Sequence, residues 1–197
     1  VVAAGSATNF FGVPGADEHA FPLYSLAEAA QLRNHVLSCF EAADRDPQLI
    51  ADGALTVVVV GGGPTGVEVA GALSELFSHV MSKDFHDLAV GRARRGLRGG
   101  RGAQGPPPLL PGPRSYARQT LVSRGVEVRL GESVEEITAT RVHLGSGEVI
   151  PAHTLIWAAG VQANPVAAAL GLEQGRGGRI VVGPDLAVPG RPGVFAI

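Results

Sequence analysis

The chain has 197 residues and is 45% hydrophobic, long enough to bury a sizeable core. Its 16 Lys and Arg nearly balance its 18 Asp and Glu, which argues against a broadly basic, nucleic-acid-binding protein. The single Cys39 excludes an internal disulfide, a Cys-rich metal site and a paired-cysteine redox centre.

No apolar run is long enough to span a bilayer, and no basic-then-apolar signal segment opens the chain. The chain starts at Val1, without Met, and stops in an apolar run, Val194-Phe195-Ala196-Ile197. Both features read as a processed chain or a fragment. Val1 to Ala4 reads as the end of a buried strand broken by Gly5, and residues 9–22 as a loop. Ser25-Leu26-Ala27-Glu28 fits a capping box for a helix over about 26–43. Leu55 to Val60, with four consecutive valines, reads as a central parallel strand. A helix follows from Thr65 to about Val80.

Residues 91–113 differ from the rest: they hold 7 Gly, 5 Pro and 5 Arg, and no acid lies between Leu88 and Val126. The window has neither strand nor helix periodicity and reads as a basic linker. Order resumes with a short helix over 116–124 and a strand over 126–130. Three short strands then follow at 134–138, 141–144 and 148–150, with Gly145-Ser146-Gly147 as a hairpin turn. A buried strand is expected at 154–158, and a further strand at 179–182 after a Gly-rich stretch.

The central motif is Gly61-Gly62-Gly63-Pro64-Thr65-Gly66, a G-x-G-x-x-G between a strand and a helix. Gly61 permits the tight turn, Gly63 lets a pyrophosphate approach the backbone, and Gly66 lets helix and strand pack closely. The helix N-terminus offers free N–H groups and a positive dipole. A Rossmann site also needs an acid at the end of its second strand, to hold the ribose hydroxyls. The Arg/Gly/Pro window occupies that slot. Asp84 and Asp87 are weak candidates, since no strand precedes them. One allowed codon choice for Arg95–Gly100, CGT GGT CTC CGT GGA GGC, reads Val-Val-Ser-Val-Glu when moved by one base. A compensated frame slip between about Gly91 and Arg114 would thus supply a strand ending in an acid; the alternative is a genuine insertion.

The run Gly61–Gly71 resembles the NADH-binding motif of type II NADH dehydrogenases, the non-proton-pumping NADH:quinone oxidoreductases. Val1-Val2-Ala3-Ala4-Gly5-Ser6 followed by Phe11-Gly12-Val13-Pro14-Gly15 is similar to that family's first segment leaving the FAD domain. Trp157-Ala158-Ala159-Gly160-Val161-Gln162-Ala163-Asn164-Pro165 is similar to its second, and Val194–Ile197 to the strand before a Gly-Asp pair that holds FAD. The resemblance implies a Rossmann-like, doubly wound α/β NADH-binding domain with a β-meander, inserted in a partial FAD-binding domain. Residues 1–50 and 161–197 would belong to the FAD domain and 51–160 to the NADH domain. The family's FAD-binding glycine loop would precede Val1, and its quinone-site and membrane-anchoring segment would follow Ile197.

The implied activity is hydride transfer from NADH to FAD, with electrons passed to a membrane quinone. The implied cofactor-binding residues are Gly61, Gly63, Thr65, Gly66, Gly160 and Gly5. Glu68 has two readings: a carboxylate stabilised by the first turn of the helix, or, by the resemblance, a catalytic residue facing nicotinamide and flavin. The family further implies peripheral attachment to the cytoplasmic face of the cell membrane and a possible homodimer. Two alternatives stay open: another flavin-dependent NAD(P)H oxidoreductase of the ferredoxin- or rubredoxin-reductase kind, and an inactive nucleotide-binding fragment. The six histidines lack metal-ligand spacing. Cys39 and Trp157 read as core, and the Arg run as solvated linker rather than a nucleic-acid surface.

Overall fold

A computed structural model describes residues 1–85, 88, 95–98 and 111–197. In chain order the elements are β1 (Ser6–Thr8), α1 (Ala16–His19), β2 (Phe21–Pro22), α2 (Leu26–Arg45), α3 (Gln48–Ala51), β3 (Val57–Val60) and α4 (Pro64–Glu75). A π-helical turn (Leu76–Met81) leads to α5 (Ser82–Asp84), β4 (Arg95–Arg98), α6 (Pro111–Ser123) and β5 (Val126–Arg129). Then come β6 (Val134–Ile137), β7 (Arg141–Leu144), β8 (Val149–Pro151), β9 (Thr154–Trp157), β10 (Val161–Ala163) and α7 (Val166–Ala169). The chain forms two compact units, Phe10–Ala159 and Val1–Asn9 with Gly160–Ile197.

The larger unit is built on a five-stranded sheet of order β2-β9-β3-β4-β5. All four of its pairings are parallel. β3 and β9 lie inside it, and every residue of both is buried, as their unbroken apolar sequences require. Alternate β3 residues face opposite ways. Val57 and Val59 join Phe40 of α2, Ala70 of α4, Phe77 and Leu121 of α6 in one core. Val58 and Val60 join Val134, Ile137, Val142, Leu144 and Ile150 of the β6-β7-β8 meander in another. Helices thus cover one face of the sheet and the antiparallel meander covers the other.

The window expected to be a linker contains β4. Arg95–Arg98 pairs with Val57–Val60 on one side and Val126–Arg129 on the other. The backbone explains this departure: without β4, the facing edges of β3 and β5 would leave their N–H and C=O groups unpaired. α6 also starts earlier than expected, at Pro111. The loop expected at 9–22 holds α1 and β2, the latter pairing with β9.

The helix after the glycine motif changes character at Leu76. The hydroxyls of Ser78 and Ser82 bond back to the carbonyls of Ser74 and Ser78, which suits the wider π turn. Ser74 is buried, and its hydroxyl donates to the Arg124 carbonyl at 2.7 Å, tying α4 to the end of α6.

The smaller unit has little regular structure. β1 and β10 form an antiparallel pair, and isolated bridges join Val2 to Ala196, Gln174 to Ile180 and Ala187 to Phe195. The strands expected at Val1–Ala4, 179–182 and 194–197 therefore reduce to isolated bridges. Pro184, Pro189 and Pro192 offer no N–H to extend a ladder there.

The capping box of α2 is formed as the sequence predicts. The Ser25 hydroxyl accepts from the Glu28 N–H at 3.2 Å, and the Glu28 carboxylate accepts from the Tyr24 and Ser25 N–H groups at 2.7 Å. Partial burial works to raise the Glu28 pKa, but those hydrogen bonds outweigh it and the net shift is downward. Ser25→Ala should cost about 1 kcal/mol in urea unfolding at neutral pH. A carboxyl held low in the folded state contributes stability above its unfolded pKa and loses it in acid. The stability gap between the wild type and Glu28→Ala should therefore narrow as pH falls through the Glu28 pKa.

Candidate functional site

The sheet order places β3 at a reversal. The chain runs outward from β3 through β4 to β5, then returns to lay β9 on the other side of β3. In open α/β sheets, ligands bind at such a switch point, beyond the carboxyl ends of the strands. Here those ends are Val60-Gly61 and Trp157-Ala158, with Val60 level with Trp157.

The three motif glycines meet different surroundings. Gly61 has φ +130°, a conformation that side chains rarely adopt, and a Cβ there would lie 2.2 Å from the Ala158 carbonyl oxygen. A Cβ on Gly66 would lie 2.0 Å from the Gly61 carbonyl oxygen. These two glycines are required by the fold, since the turn, the helix and β9 share the same space. Among the described residues, a Cβ on Gly63 would meet nothing within 4 Å. Its lack of a side chain is not needed for packing against the described residues.

Gly63 is also the N-cap of α4, in an extended conformation, with Pro64 at the first helical position. No side chain caps the helix. The Val67 N–H closes the first turn onto the Gly63 carbonyl at 3.1 Å. Pro64 has no N–H, so the Thr65 and Gly66 amides are the first-turn donors outside the intrahelical ladder. An uncapped N-terminus beside an open glycine is suited to an anion.

Glu68 is exposed and stands fifth in α4, so no acid lies in the first turn. That corrects the first-turn placement, because the helix begins at Pro64 and the dipole's effect fades beyond its first turn. Glu75 is exposed and pairs with Arg124 at 2.8 Å. Asp84 ends α5, ahead of β4, and does not occupy the carboxyl end of the second strand. Asp87 lies outside the described residues. Ala158 is a participant that the sequence shows only as part of a similar segment; pairing of β9 beside β3 reveals its role, which no local pattern carries.

Gly5 and Gly160 belong to the smaller unit. Gly5 has φ +70°, with open space where a Cβ would stand. Its carbonyl accepts from the Asn164 N–H at 3.2 Å, and that of Gly160 from the Asn9 N–H at 3.1 Å. Gly5 lines a cavity of about 570 Å³ with Ser6, Gln162, Asn164, Arg179 and Ile180. Its lining is mainly apolar with a few polar groups, and its size is that of a small-molecule site. Gly160 is not among its lining residues. Among the described residues, no group of three or more His, Cys, Asp or Glu is placed to hold a metal ion.

These surroundings separate folding from binding. Gly66→Ala should lower the melting temperature by several degrees or prevent folding, since backbone must shift. Gly63→Ala should leave it within about a degree, yet weaken nucleotide binding roughly tenfold or more. Thermal melts and titration with NADH read the two effects.

The comparisons with known proteins agree with this geometry. The model of the pyridine nucleotide-disulphide oxidoreductases matches residues 1–197. The chain is 36% identical over 213 residues to the type II NADH:quinone oxidoreductase Ndh of Mycobacterium tuberculosis, covering 100% of this chain and 44% of that protein. Among solved structures it is similar to NDH2 from Plasmodium falciparum in complex with NADH, with a TM-score of 0.86 and 21% identity, over 99% of this chain and 42% of that one. A ferredoxin reductase from Rhodopseudomonas palustris is similar with a TM-score of 0.69 and 23% identity, over 99% of this chain and 42% of that one. The chain thus spans less than half the length of each of these proteins. With its glycine turn at the switch point of a parallel sheet, it belongs to the pyridine nucleotide-disulphide oxidoreductase family.

Proposed function

We propose that this chain is the nicotinamide-nucleotide-binding part, with portions of the flavin-binding part, of an FAD-dependent NADH:quinone oxidoreductase. The observation that carries the reading is the open Gly63 beside the uncapped α4 N-terminus. Gly61 and Gly66 shape the turn. Gly63, with the Thr65 and Gly66 amides, takes the pyrophosphate of NADH. Glu68, exposed one turn further on, orients the nicotinamide carboxamide.

The smaller unit's cavity fits part of FAD: its walls suit a flat apolar ring, and Ser6, Gln162, Asn164 and Arg179 offer polar groups at its edge. When bound, FAD would supply the chemistry of a hydride acceptor and pass electrons on to an acceptor. In this cavity Gly5 keeps the backbone clear of the cofactor; Gly160 does not line it and enters the proposal through the family resemblance alone.

The acceptor in this reading is a membrane quinone. Among the described residues, no helix is long and apolar enough to cross a membrane. Peripheral attachment to the cytoplasmic face, through segments outside these 197 residues, and a homodimeric state complete the proposal. The single Cys leaves the disulphide chemistry of the wider family no cysteine pair within this chain.

The test is a full-length protein containing this chain, loaded with FAD. NADH should bleach the flavin's visible absorbance, and a soluble quinone should restore it. Restoration by a ferredoxin or rubredoxin but not by quinone would favour the protein-acceptor alternative. No bleaching would leave only an inactive nucleotide-binding fragment. Glu68→Gln should raise the KM for NADH about tenfold, the equivalent of one charged hydrogen bond of about 1.4 kcal/mol, with little change in melting temperature.

A further inference from the structure

The cavity of the smaller unit is electrostatically one-sided. Of the residues that line it, Arg179 alone carries an ionisable side chain. Ser6, Gln162 and Asn164 are polar but neutral, and the others are glycine or apolar. The acids of this unit, Glu173 and Asp185, do not line the cavity. The Asp185 carboxylate accepts instead from the Ala187 N–H at 3.2 Å, within its own turn. Arginines elsewhere in the chain meet carboxylates, as Arg45 meets Glu41 at 3.5 Å and Arg124 meets Glu75 at 2.8 Å. Among the described residues, the Arg179 guanidinium has no such partner.

Backbone geometry brings this arginine to the cavity. Gly177 and Gly178 turn the chain with φ of +71° and +74°. The Gly175 N–H then donates to the Arg179 carbonyl at 2.7 Å, and Ile180 bridges back to Gln174. A Cβ on Gly178 would stand 3.7 Å from the Ala163 Cβ, so the turn lies against β10. All three β10 residues line the same cavity. The position of Arg179 is therefore set by a closed turn packed on the cavity wall, not by an ion pair.

A guanidinium offers five donors and stays charged at any ordinary pH. A wholly apolar ligand would satisfy the walls but strip water from the charge without replacing it. A ligand with an apolar body and an anionic group would satisfy both. We infer that Arg179 is the anion-recognising residue of this cavity, and that FAD lies there with a negatively charged group against the guanidinium. This role rests on the FAD reading above and adds to it which chemistry of FAD the cavity selects. Two parts of FAD can carry the charge. The phosphates carry it in every redox state. The flavin ring acquires it on reduction: a hydride brings two electrons and one proton, NADH leaves as NAD⁺, and the ring gains one negative charge. A cation fixed where that charge develops favours the reduced form.

The test uses the full-length protein containing this chain, freed of flavin and titrated with FAD and with riboflavin, which lacks the phosphates. Arg179→Gln and Arg179→Lys are compared with the wild type. Arg179 is exposed, so both variants should melt within about a degree of it. If the phosphates are the partner, Arg179→Gln should raise the Kd for FAD about tenfold and leave that for riboflavin unchanged. If the reduced ring is the partner, both Kd values should hold, and the midpoint potential of bound FAD should fall by about 30 mV, a tenfold loss of preference for the reduced form. In either case Arg179→Lys, which keeps the charge, should lose less than Arg179→Gln. Unchanged affinity at an unchanged potential in Arg179→Gln would overturn the role. So would an equal loss of affinity for FAD and riboflavin, since the contact would then be to the neutral ring. Flavin bound by none of the three proteins would sink the FAD reading itself, and the role of Arg179 with it.

Discussion

The larger unit turns on one close approach. The chain leaves β3 through Gly61, with its backbone against the Ala158 carbonyl, and Gly66 then seats α4 against the Gly61 carbonyl. Any side chain at either position would push β9, the turn or the helix apart. Because β3 and β9 also share four paired positions, such a displacement would reach both cores. The same crowding makes the binding geometry. With the turn held down at Gly61 and Gly66, Gly63 and the first amides of α4 are left facing open space. Glycines of one motif thus differ: Gly61 and Gly66 have no room for a side chain, whereas Gly63 faces open space among the described residues, where the proposed binding would occur.

The two coverings of the sheet divide the remaining work. α2, α4 and α6 form a core whose largest buried rings, Phe40 and Phe77, meet edge to face with centroids 5.0 Å apart. The meander closes the opposite face around Val58, Val60, Leu155 and Trp157. At its edge, Arg129 of β5 pairs with Glu127 and with Glu148 in the β7-β8 turn, and lies 3.7 Å from Glu132. Glu148, and then Glu127, push the Arg129 pKa further up, and the Glu148 contact links the sheet's outer strand to the meander. The link is partly exposed, so its contribution is modest beside the apolar burial.

Much of this was legible in the sequence because the determinants are local. The capping box at Ser25 and Glu28, the valine run of β3, the glycine motif and the alternating meander strands each declare themselves within a few residues. What was not legible depends on partners distant in sequence. α1 and β2 sit in a stretch without periodicity, and β2 exists as a strand only because β9 lies beside it. Arg179–Val182 has strand-like residues but gains only the Gln174–Ile180 bridge. A helix starting at Thr65 would put Glu68 in the first turn, whereas Pro64 occupies the first helical position without losing a hydrogen bond. The role of Ala158 emerges only from the register of β9 on β3.

β4 shows which level of the code governs when two disagree. Its side-chain identities argue for a linker, and its neighbours argue for a strand. β3 offers an edge on one side, β5 offers an edge on the other, and connections through α4 and α6 hold the two edges parallel with room for one strand between them. Hydrogen bonding is indifferent to side-chain type, so a segment of suitable length can satisfy those edges even when it reads Arg-Gly-Leu-Arg. Function is less forgiving. Backbone pairing can rebuild a strand, but only a particular side chain can bind a ribose hydroxyl.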